Sequence, residues 1–420
     1  MQKKIIALAV AGLVSGGAFA QSNVTISGEF KVGFEGVSAG GATVANQNMT
    51  SRTRVTDNNS KLKFAGEEAL GNGLTAWFQV ESAIGTSDNT GTTGAQTNGA
   101  AGANQTTIGT RNTAVGLKGA WGNVYMGKWD AYYNTIAAID TMGLADGHGL
   151  ATSSLDILQT NGAVSTATGQ GAANSFGSRY ANSIMYSSPN WGGFMANVNY
   201  STQSENTAAN MNAKDHLWAF NPVYNNGPLT VFYAYLKISN TGAVVVVPPA
   251  IPPALASGSN ATANRLGASW TFPMGLKIGL AWDKNKLETA DGSASLGALG
   301  VVATGGAVAA QSRRERTAWA LPIQWVTGPH KVNFSYARSG DLKTDMGTVG
   351  DSGAKLYVLG YEYSLSKRTS VATSYTMINN GNNAAYDGWH PSSSVAGSSS
   401  AALSAGADPR ILQVNIRHAF

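Results

Sequence analysis

Apolar and polar residues alternate at every second position in one segment after another of this chain, and such alternation is typical of β-strands. In residues 24–34, Val24, Ile26 and Phe30 share one face, whereas Glu29 and Lys31 share the other. Most of these segments reach the length of about ten residues that a tilted membrane strand needs. The sixteen segments are 22–37, 48–66, 73–84, 107–119, 121–129, 178–188, 192–201, 211–225, 228–239, 261–272, 275–287, 313–327, 329–340, 353–366, 367–379 and 408–420.

The connections between these segments alternate between short and long. Most of the short ones contain Gly or Pro, which suits tight turns. The long ones are rich in small and polar residues, and residues 130–177 form the longest. Tight turns at one end and long loops at the other are typical of outer-membrane barrels. We therefore expect an all-β fold, a 16-stranded antiparallel transmembrane β-barrel with both mature termini at the end of the tight turns.

Closure of the sheet follows from hydrogen bonding. Hydrocarbon offers no water to a free backbone amide, so a membrane sheet must close on itself. A barrel of about sixteen strands encloses an aqueous lumen rather than a packed core. We therefore expect the apolar faces to meet lipid, and the face of Glu29 and Lys31 to line water.

The N-terminus has the three parts of a secretory signal. Lys3 and Lys4 are followed by an apolar run over 5–14 and by the small residues Ala18 and Ala20. We expect a signal peptide over 1–20, cleavage after Ala20 and a barrel domain over 21–420. A buried N-terminal helix is the alternative. No later stretch offers 18 apolar residues without breakers, so an exported chain of this kind is periplasmic, secreted or an outer-membrane barrel.

Five stretches resemble the general diffusion porins of Neisseria and Burkholderia-type bacteria. They are 61–74 (KLKFAGEEALGNGL), 114–119 (AVGLKG), 182–189 (NSIMYSSP), 361–369 (YEYSLSKRT) and 417–420 (RHAF). The resemblance implies an outer-membrane homotrimer for passive diffusion of small hydrophilic solutes and ions, with the third long loop folded into each pore. It also implies contact with lipid and lipopolysaccharide, and assembly through periplasmic chaperones and the barrel-assembly machinery. Phe420 resembles the terminal aromatic residue that this machinery reads.

The third long loop, 130–177, is acidic and contains no Lys or Arg. Loops of this length are uncommon unless they are functional. Its apolar residues need something to pack against, which disfavours the alternative of a disordered external loop. We expect it to present acids to the pore constriction, with Asp130, Asp140, Asp146 and Asp156 as candidates.

Basic residues are predicted on the wall opposite this loop. Lys61 and Lys63 alternate with apolar residues and therefore point inward, and Arg179 is counted on the inward face of Ser183. A solvated charge at the rim is the alternative for each of them. An excess of wall cations over loop acids predicts a weak anion preference.

Three further wall positions rest on the resemblance. Arg111 and Lys128 match positions that are basic and pore-lining in the family, yet strict alternation counts both as outward. A bulge, or the exit of the strand from the membrane, would reconcile the two. Met185 stands where the family usually has a basic residue, so we expect less positive charge at this constriction.

Catalysis has little support in the sequence. The chain has no Cys, no nucleophile elbow, no metal-binding spacing and no phosphate loop, so no enzyme, metal or cofactor is expected. The net charge of +5 becomes +3 without Lys3 and Lys4, too little to indicate nucleic-acid binding. The alternatives are a barrel lipase, an adhesin built from the long loops, and a substrate-specific channel. The aromatic residues that could line such a channel are Trp77, Tyr125 and Trp129.

Overall fold

The computed structural model describes residues 23–86, 108–133, 154–158, 176, 179–202, 216–240, 259–289, 313–388, 395 and 403–420. These residues form nineteen strands, which belong to one antiparallel sheet, and one short helix, α1 (Leu155–Leu158). The strands are β1 (Asn23–Gly40), β2 (Met49–Asp57), β3 (Lys61–Gly71), β4 (Leu74–Ala83), β5 (Thr113–Gly119), β6 (Gly122–Asp130), β7 (Arg179–Ser187), β8 (Phe194–Ser201), β9 (His216–Asn226), β10 (Leu229–Asn240), β11 (Ser259–Thr271), β12 (Leu276–Thr289), β13 (Arg313–Thr327), β14 (His330–Ser339), β15 (Leu342–Thr344), β16 (Gly347–Val349), β17 (Ala354–Ser364), β18 (Thr369–Asn380) and β19 (Asp408–Ala419).

The sheet closes into a barrel of sixteen wall strands, as the alternation predicts. β1 pairs with β19, from Glu29 opposite Ala419 to Gly40 opposite Asp408, and this pairing removes both sheet edges. β2 and β3 both pair with β1 and together form one wall strand. β15 and β16 form a small hairpin between β14 and β17. The expected fold class is therefore confirmed.

One predicted strand, 48–66, is interrupted. The side chain of Asp57 accepts hydrogen bonds from the main-chain N–H groups of Asn59 and Ser60, and this turn separates β2 from β3. Beyond the turn, β3 continues to Gly71, further than the predicted end at 66. The hairpin that follows is tight because Gly71 and Asn72 adopt φ values of 88° and 50°, which Gly and Asn tolerate.

The two faces of the wall differ as a membrane barrel requires. On the outer face of β13, Trp319 and Trp325 are exposed at either end of a stretch that also presents Leu321 and Ile323. Trp319 and Trp325 are six positions apart, about 20 Å along a strand, so the pair is typical of the aromatic girdles at the two membrane surfaces. Among the described residues, no helix is long and apolar enough to cross a membrane.

The described part of the third long loop packs on the inner face of the barrel. Ile157 and Leu158 of helix α1 are fully buried in a cluster that includes Ala318, Ala337 and Leu356. These three partners belong to β13, β14 and β17 and alternate with residues of the outer face. The predicted signal peptide over 1–20 lies outside the described residues.

Candidate pore constriction

The inner face of the first wall strands carries a carboxylate surrounded by cations. Glu29 lies opposite Lys61 in the β1–β3 register, and its Oε1 is 3.4 Å from the ammonium of Lys61 and 3.3 Å from that of Lys31. Its Oε2 accepts a hydrogen bond from Nε of Arg417 at 2.8 Å. The period of two along β1 brings Glu29 and Lys31 inward, because the exposed Phe30 between them faces outward.

Glu81 of β4 continues this inner face. It lies opposite Lys63 in the β3–β4 register, and its Oε1 accepts a hydrogen bond from Nε of Arg111 at 2.6 Å. The guanidinium of Arg111 also donates to Asn59. Arg111 precedes the first residue of β5, Thr113, so the alternation that counted it as outward does not extend to it. The structure therefore brings Lys61, Lys63 and Arg111 to one side of the barrel.

A third carboxylate, Glu35, accepts a hydrogen bond from Nε of Arg54 at 2.9 Å. Thr56 and Gln413 also donate to it, so this side chain is fully engaged. We call the whole group the cationic wall. It consists of Lys31, Arg54, Lys61, Lys63, Arg111 and Arg417 with the carboxylates Glu29, Glu35 and Glu81. Within this group the cations exceed the carboxylates by three.

Lys128 and Arg179 lie in a different group. Arg179 is buried with its Nε 3.1 Å from Oδ1 of Asp130 and is also bonded to Asn112. The ammonium of Lys128 donates to the main-chain oxygen of Thr110 at 3.2 Å. By alternation along β6, Lys128 and Asp130 share the face of the exposed Met126, opposite Tyr125 and Trp129.

The predicted face of Arg179 is wrong because β7 contains a bulge. Gly127 pairs with Ser183, but Trp129 pairs with Tyr180, so two residues of β7 oppose the single residue between Gly127 and Trp129. Within the bulge, Asn182 adopts a φ of 53°. The bulge puts Tyr180, rather than Arg179, on the inward face of Ser183. The alternation of polar and apolar residues in β7 does not indicate the extra residue of this bulge.

An aromatic cluster lies on the inner face of β4 and β6. The rings of Trp77, Tyr125 and Trp129 lie with centroids 5.1 to 6.0 Å apart. Met185, opposite Tyr125 in the register, is only 2% exposed and packs in the same cluster. The phenol groups of Tyr125 and Tyr132 share a hydrogen bond of 2.9 Å. At position 185 the inner wall is therefore apolar.

A buried charged group on the far wall holds the third loop. Tyr133 donates from its phenol to Asp283 of β12, and Arg265 of β11 donates to the main-chain oxygen of Tyr133 at 2.9 Å. Arg316 of β13 donates to the main-chain oxygens of Ile157 and Leu158. Burial raises the pKa of Tyr133 well above its usual value, so its phenol remains a hydrogen-bond donor.

Sequence reasoning missed this anchor. The same alternation that predicts an inward Lys61 also predicts that Arg265, Asp283 and Arg316 point inward, because each alternates with outward residues. The contacts themselves could not be predicted from alternation. Arg265 and Tyr133 are 132 positions apart in the sequence, and Arg316 and Ile157 are 159 positions apart. We call Tyr133, Arg265, Asp283 and Arg316 the loop anchor.

The remaining predicted site residues are distributed as follows. Asp140 and Asp146 lie outside the described residues, and so does the side chain of Asp156 in helix α1. Phe420 lies at the seam, where its N–H donates to the oxygen of Gly28 at 3.1 Å and its ring stacks on Phe30. No group of His, Asp and Glu in the described part of the chain could hold a metal ion.

Comparison with known proteins gives consistent matches over most of the chain. A family model described as Gram-negative porin matches residues 7–383. Outer membrane porin protein 32 of Delftia acidovorans is 28% identical over 423 residues, which cover 100% of both chains. The solved anion-selective porin from Comamonas acidovorans is 22% identical with a TM-score of 0.67, covering 95% of this chain and 100% of that one. The trimer form of OmpT of Vibrio cholerae is 13% identical with a TM-score of 0.59, covering 95% and 99%.

The likeness to the two solved structures concerns the barrel fold. The family match extends over far more than half of the sequence and covers strands β1–β4 and the loop anchor, whereas Arg417 of the cationic wall lies beyond the matched residues. The chain therefore belongs to the family of Gram-negative porins, outer-membrane β-barrels through which small hydrophilic solutes diffuse passively.

Proposed function

We propose that this porin has a weak preference for anions, set by the cationic wall. The observation that carries the proposal is Glu29, a single carboxylate in contact with Lys31, Lys61 and Arg417. Charges on the wall of a narrow, water-filled pore act on passing ions more strongly than charges on an open surface, because the surrounding wall has a low dielectric constant. An excess of fixed positive charge attracts anions and repels cations.

The preference is weak because most of the cations are paired. Arg54 and Arg111 each form an ion pair with a glutamate, at 2.9 and 2.6 Å. A paired charge contributes a dipole rather than a full monopole to the field in the lumen. Met185 adds no charge of its own. The anion selectivity named for the Comamonas acidovorans porin, a protein with the same fold, is consistent with the proposal.

Reversal potential across a planar bilayer, measured in a salt gradient, tests the proposal. Lys61→Glu reverses one charge of the wall and should move the reversal potential toward the cation equilibrium potential. Lys237→Met is the matched control, because Lys237 is exposed on the outer face of β10. An unchanged reversal potential in a correctly folded Lys61→Glu channel would mean that the cationic wall does not set selectivity.

We also propose that the protein assembles as a homotrimer through the seam of the barrel. The outer faces of β1 and β19 are apolar and strongly exposed, with Val24 and Ile26 both 59% exposed and Val414 57% exposed. Smooth apolar walls can pack on one another in the membrane without exposing backbone groups. One solved neighbour of the same fold is a trimer form. Light scattering in mild detergent should give three protein masses per particle, and a monomer mass would count against the assembly.

The processing of the chain is a further part of the proposal. We infer that residues 1–20 are a signal peptide and that the mature domain is 21–420. N-terminal sequencing of protein purified from outer membranes should begin at Gln21. A sequence beginning at Met1 would contradict the cleavage.

A further inference from the structure

Arg314 is buried on the inner face of β13 without a hydrogen-bond partner among the described residues. It is 0% exposed, and its Nε, Nη1 and Nη2 atoms all lack a partner. Alternation puts it on the inward face of Arg316, whereas the neighbouring Arg313 is exposed. A buried charge without a partner costs several kcal/mol, and arginine cannot avoid the cost by losing its proton.

The surrounding described residues do not supply the missing negative charge. The carboxylate of Asp283 is already shared by Arg265, at 2.9 Å, and Arg316, at 3.4 Å. Asp345 acts on Arg314 through its charge, but it is exposed in the tip of the β15–β16 hairpin and accepts no hydrogen bond from it. Nη2 of Arg265 is a further buried donor without a partner. On this wall, therefore, Arg265 and Arg316 share the carboxylate of Asp283, and Arg314 contacts no carboxylate of the described residues.

We propose that Arg314 binds a compact inorganic anion, a halide or a small oxyanion, on the inner wall at the long-loop end of the barrel. The unpartnered atoms of its guanidinium are all donors, which suits an acceptor that carries negative charge. Leu287, opposite Arg314 in the β12–β13 register, is buried and apolar. Such a side chain excludes water from the anion and strengthens its hydrogen bonds.

The site is separate from the cationic wall. Arg314 lies five residues beyond Trp319, about 16 Å along the strand and outside the aromatic girdle. It belongs to β13, whereas the strand residues of the cationic wall belong to β1–β4 and β19. The proposal therefore concerns a bound ion and does not depend on the selectivity of the pore.

Crystals of the full-length porin soaked in sodium bromide test the site directly. Anomalous scattering should show bromide in contact with the guanidinium of Arg314 in the wild-type protein and none there in Arg314→Met. Arg313→Met is the matched control, since it removes the same charge from the adjacent, exposed position, and it should keep the peak. Absence of bromide beside Arg314 in the wild type would overturn the proposal.

Equilibrium titration distinguishes this site from the selectivity proposal. Bromide should bind Arg314→Met roughly tenfold or more weakly than wild type, because the variant lacks the charged hydrogen-bond donors of the site. Lys61→Glu should leave this affinity unchanged, even if it alters the reversal potential. If Arg314→Met does not fold, Arg314→Lys replaces it and should bind bromide more weakly than wild type. Equal bromide affinity in the wild type and the folded position-314 variant would contradict the site.

Discussion

Arg265 lies over the ring of Tyr133, with its guanidinium carbon 4.0 Å from the ring centroid, and also donates to the main-chain oxygen of the same residue. A cation over an aromatic face is favourable, and the effect is larger when both groups are desolvated. Both side chains are fully buried, and Asp283 neutralises Arg265 from the other side at 2.9 Å. The start of the third loop is thus fixed to the far wall through side-chain and main-chain atoms of one residue.

Arg265→Met should loosen this attachment. It leaves the buried Asp283 with Arg316 as its remaining cation in the loop anchor, and breaking such a buried pair costs about 3–5 kcal/mol. Urea unfolding of the refolded porin should show a loss of that size, and single-channel recordings should show more frequent partial closures. Arg338→Met, on the exposed outer face of β14, is the control and should show neither effect. Unchanged stability in Arg265→Met would mean that the loop anchor contributes nothing to the fold.

Glu29→Gln should strengthen the anion preference. The amide keeps the shape of the side chain but removes the carboxylate that Lys31, Lys61 and Arg417 share, so the excess positive charge of the cationic wall rises from three to four. The reversal potential should move further toward the anion equilibrium potential. Glu288→Gln removes an exposed carboxylate that pairs with Lys286 on the outer face, and it should leave the reversal potential unchanged. A shift toward cations in Glu29→Gln would contradict our assignment of the wall.

The alternation pattern predicted the fold because the period of two is a local property of each strand. The sixteen wall strands and the inward direction of Lys61 and Lys63 followed from it. The turn at Asn58–Ser60 did not, because the alternation resumes in β3 and the interruption depends on the Asp57 side chain. Arg179 was assigned to the wrong face because a single bulge in β7 exchanges the inward and outward positions of the residues beyond it.

Of the candidate constriction, the sequence predicts only whether a strand residue points into the barrel or out of it. That Glu29 sits among three cations depends on the registers of β1 with β3 and with β19, and the partners in the second register are nearly 390 residues apart. The contacts of the loop anchor likewise join residues that are far apart in the sequence. A pattern within a strand tells which way Arg265 points, but it contains no information about which loop residue meets it.

Gly28→Val should weaken the seam of the barrel. A Cβ on Gly28 would lie 2.5 Å from the main-chain oxygen of Lys61 and 2.7 Å from Cζ of Phe420, so the strand or the ring must move. Overpacking of this kind costs about 1–3 kcal/mol. Gly36→Val is a close control, since it lies in the same strand with the same parity and a Cβ there meets nothing within 4 Å.

The amount of folded barrel can be followed by the heat-modifiable shift in unheated gels. Gly28→Val should lower the yield of the compact form in the outer membrane, and Phe420→Ala should do the same because it removes the ring that stacks on Phe30. Gly36→Val should assemble like the wild type. Equal yields for Gly28→Val and Gly36→Val would show that the contact with Phe420 plays no part in assembly.

The orientation of the barrel can be tested with single cysteines, because the natural chain contains none. Long loops are extracellular and tight turns periplasmic in barrels of this type. Met346, which is 66% exposed in the β15–β16 hairpin, lies at the long-loop end, whereas Asn226 lies at the tight turn between β9 and β10. On intact cells, a membrane-impermeant maleimide should label Met346→Cys and not Asn226→Cys, and both should be labelled once the outer membrane is opened. Because a reagent small enough to pass the pore would reach both sites, the maleimide must carry a polymer too large for the lumen. Labelling of Asn226→Cys alone on sealed cells would mean that the barrel is inserted the other way round.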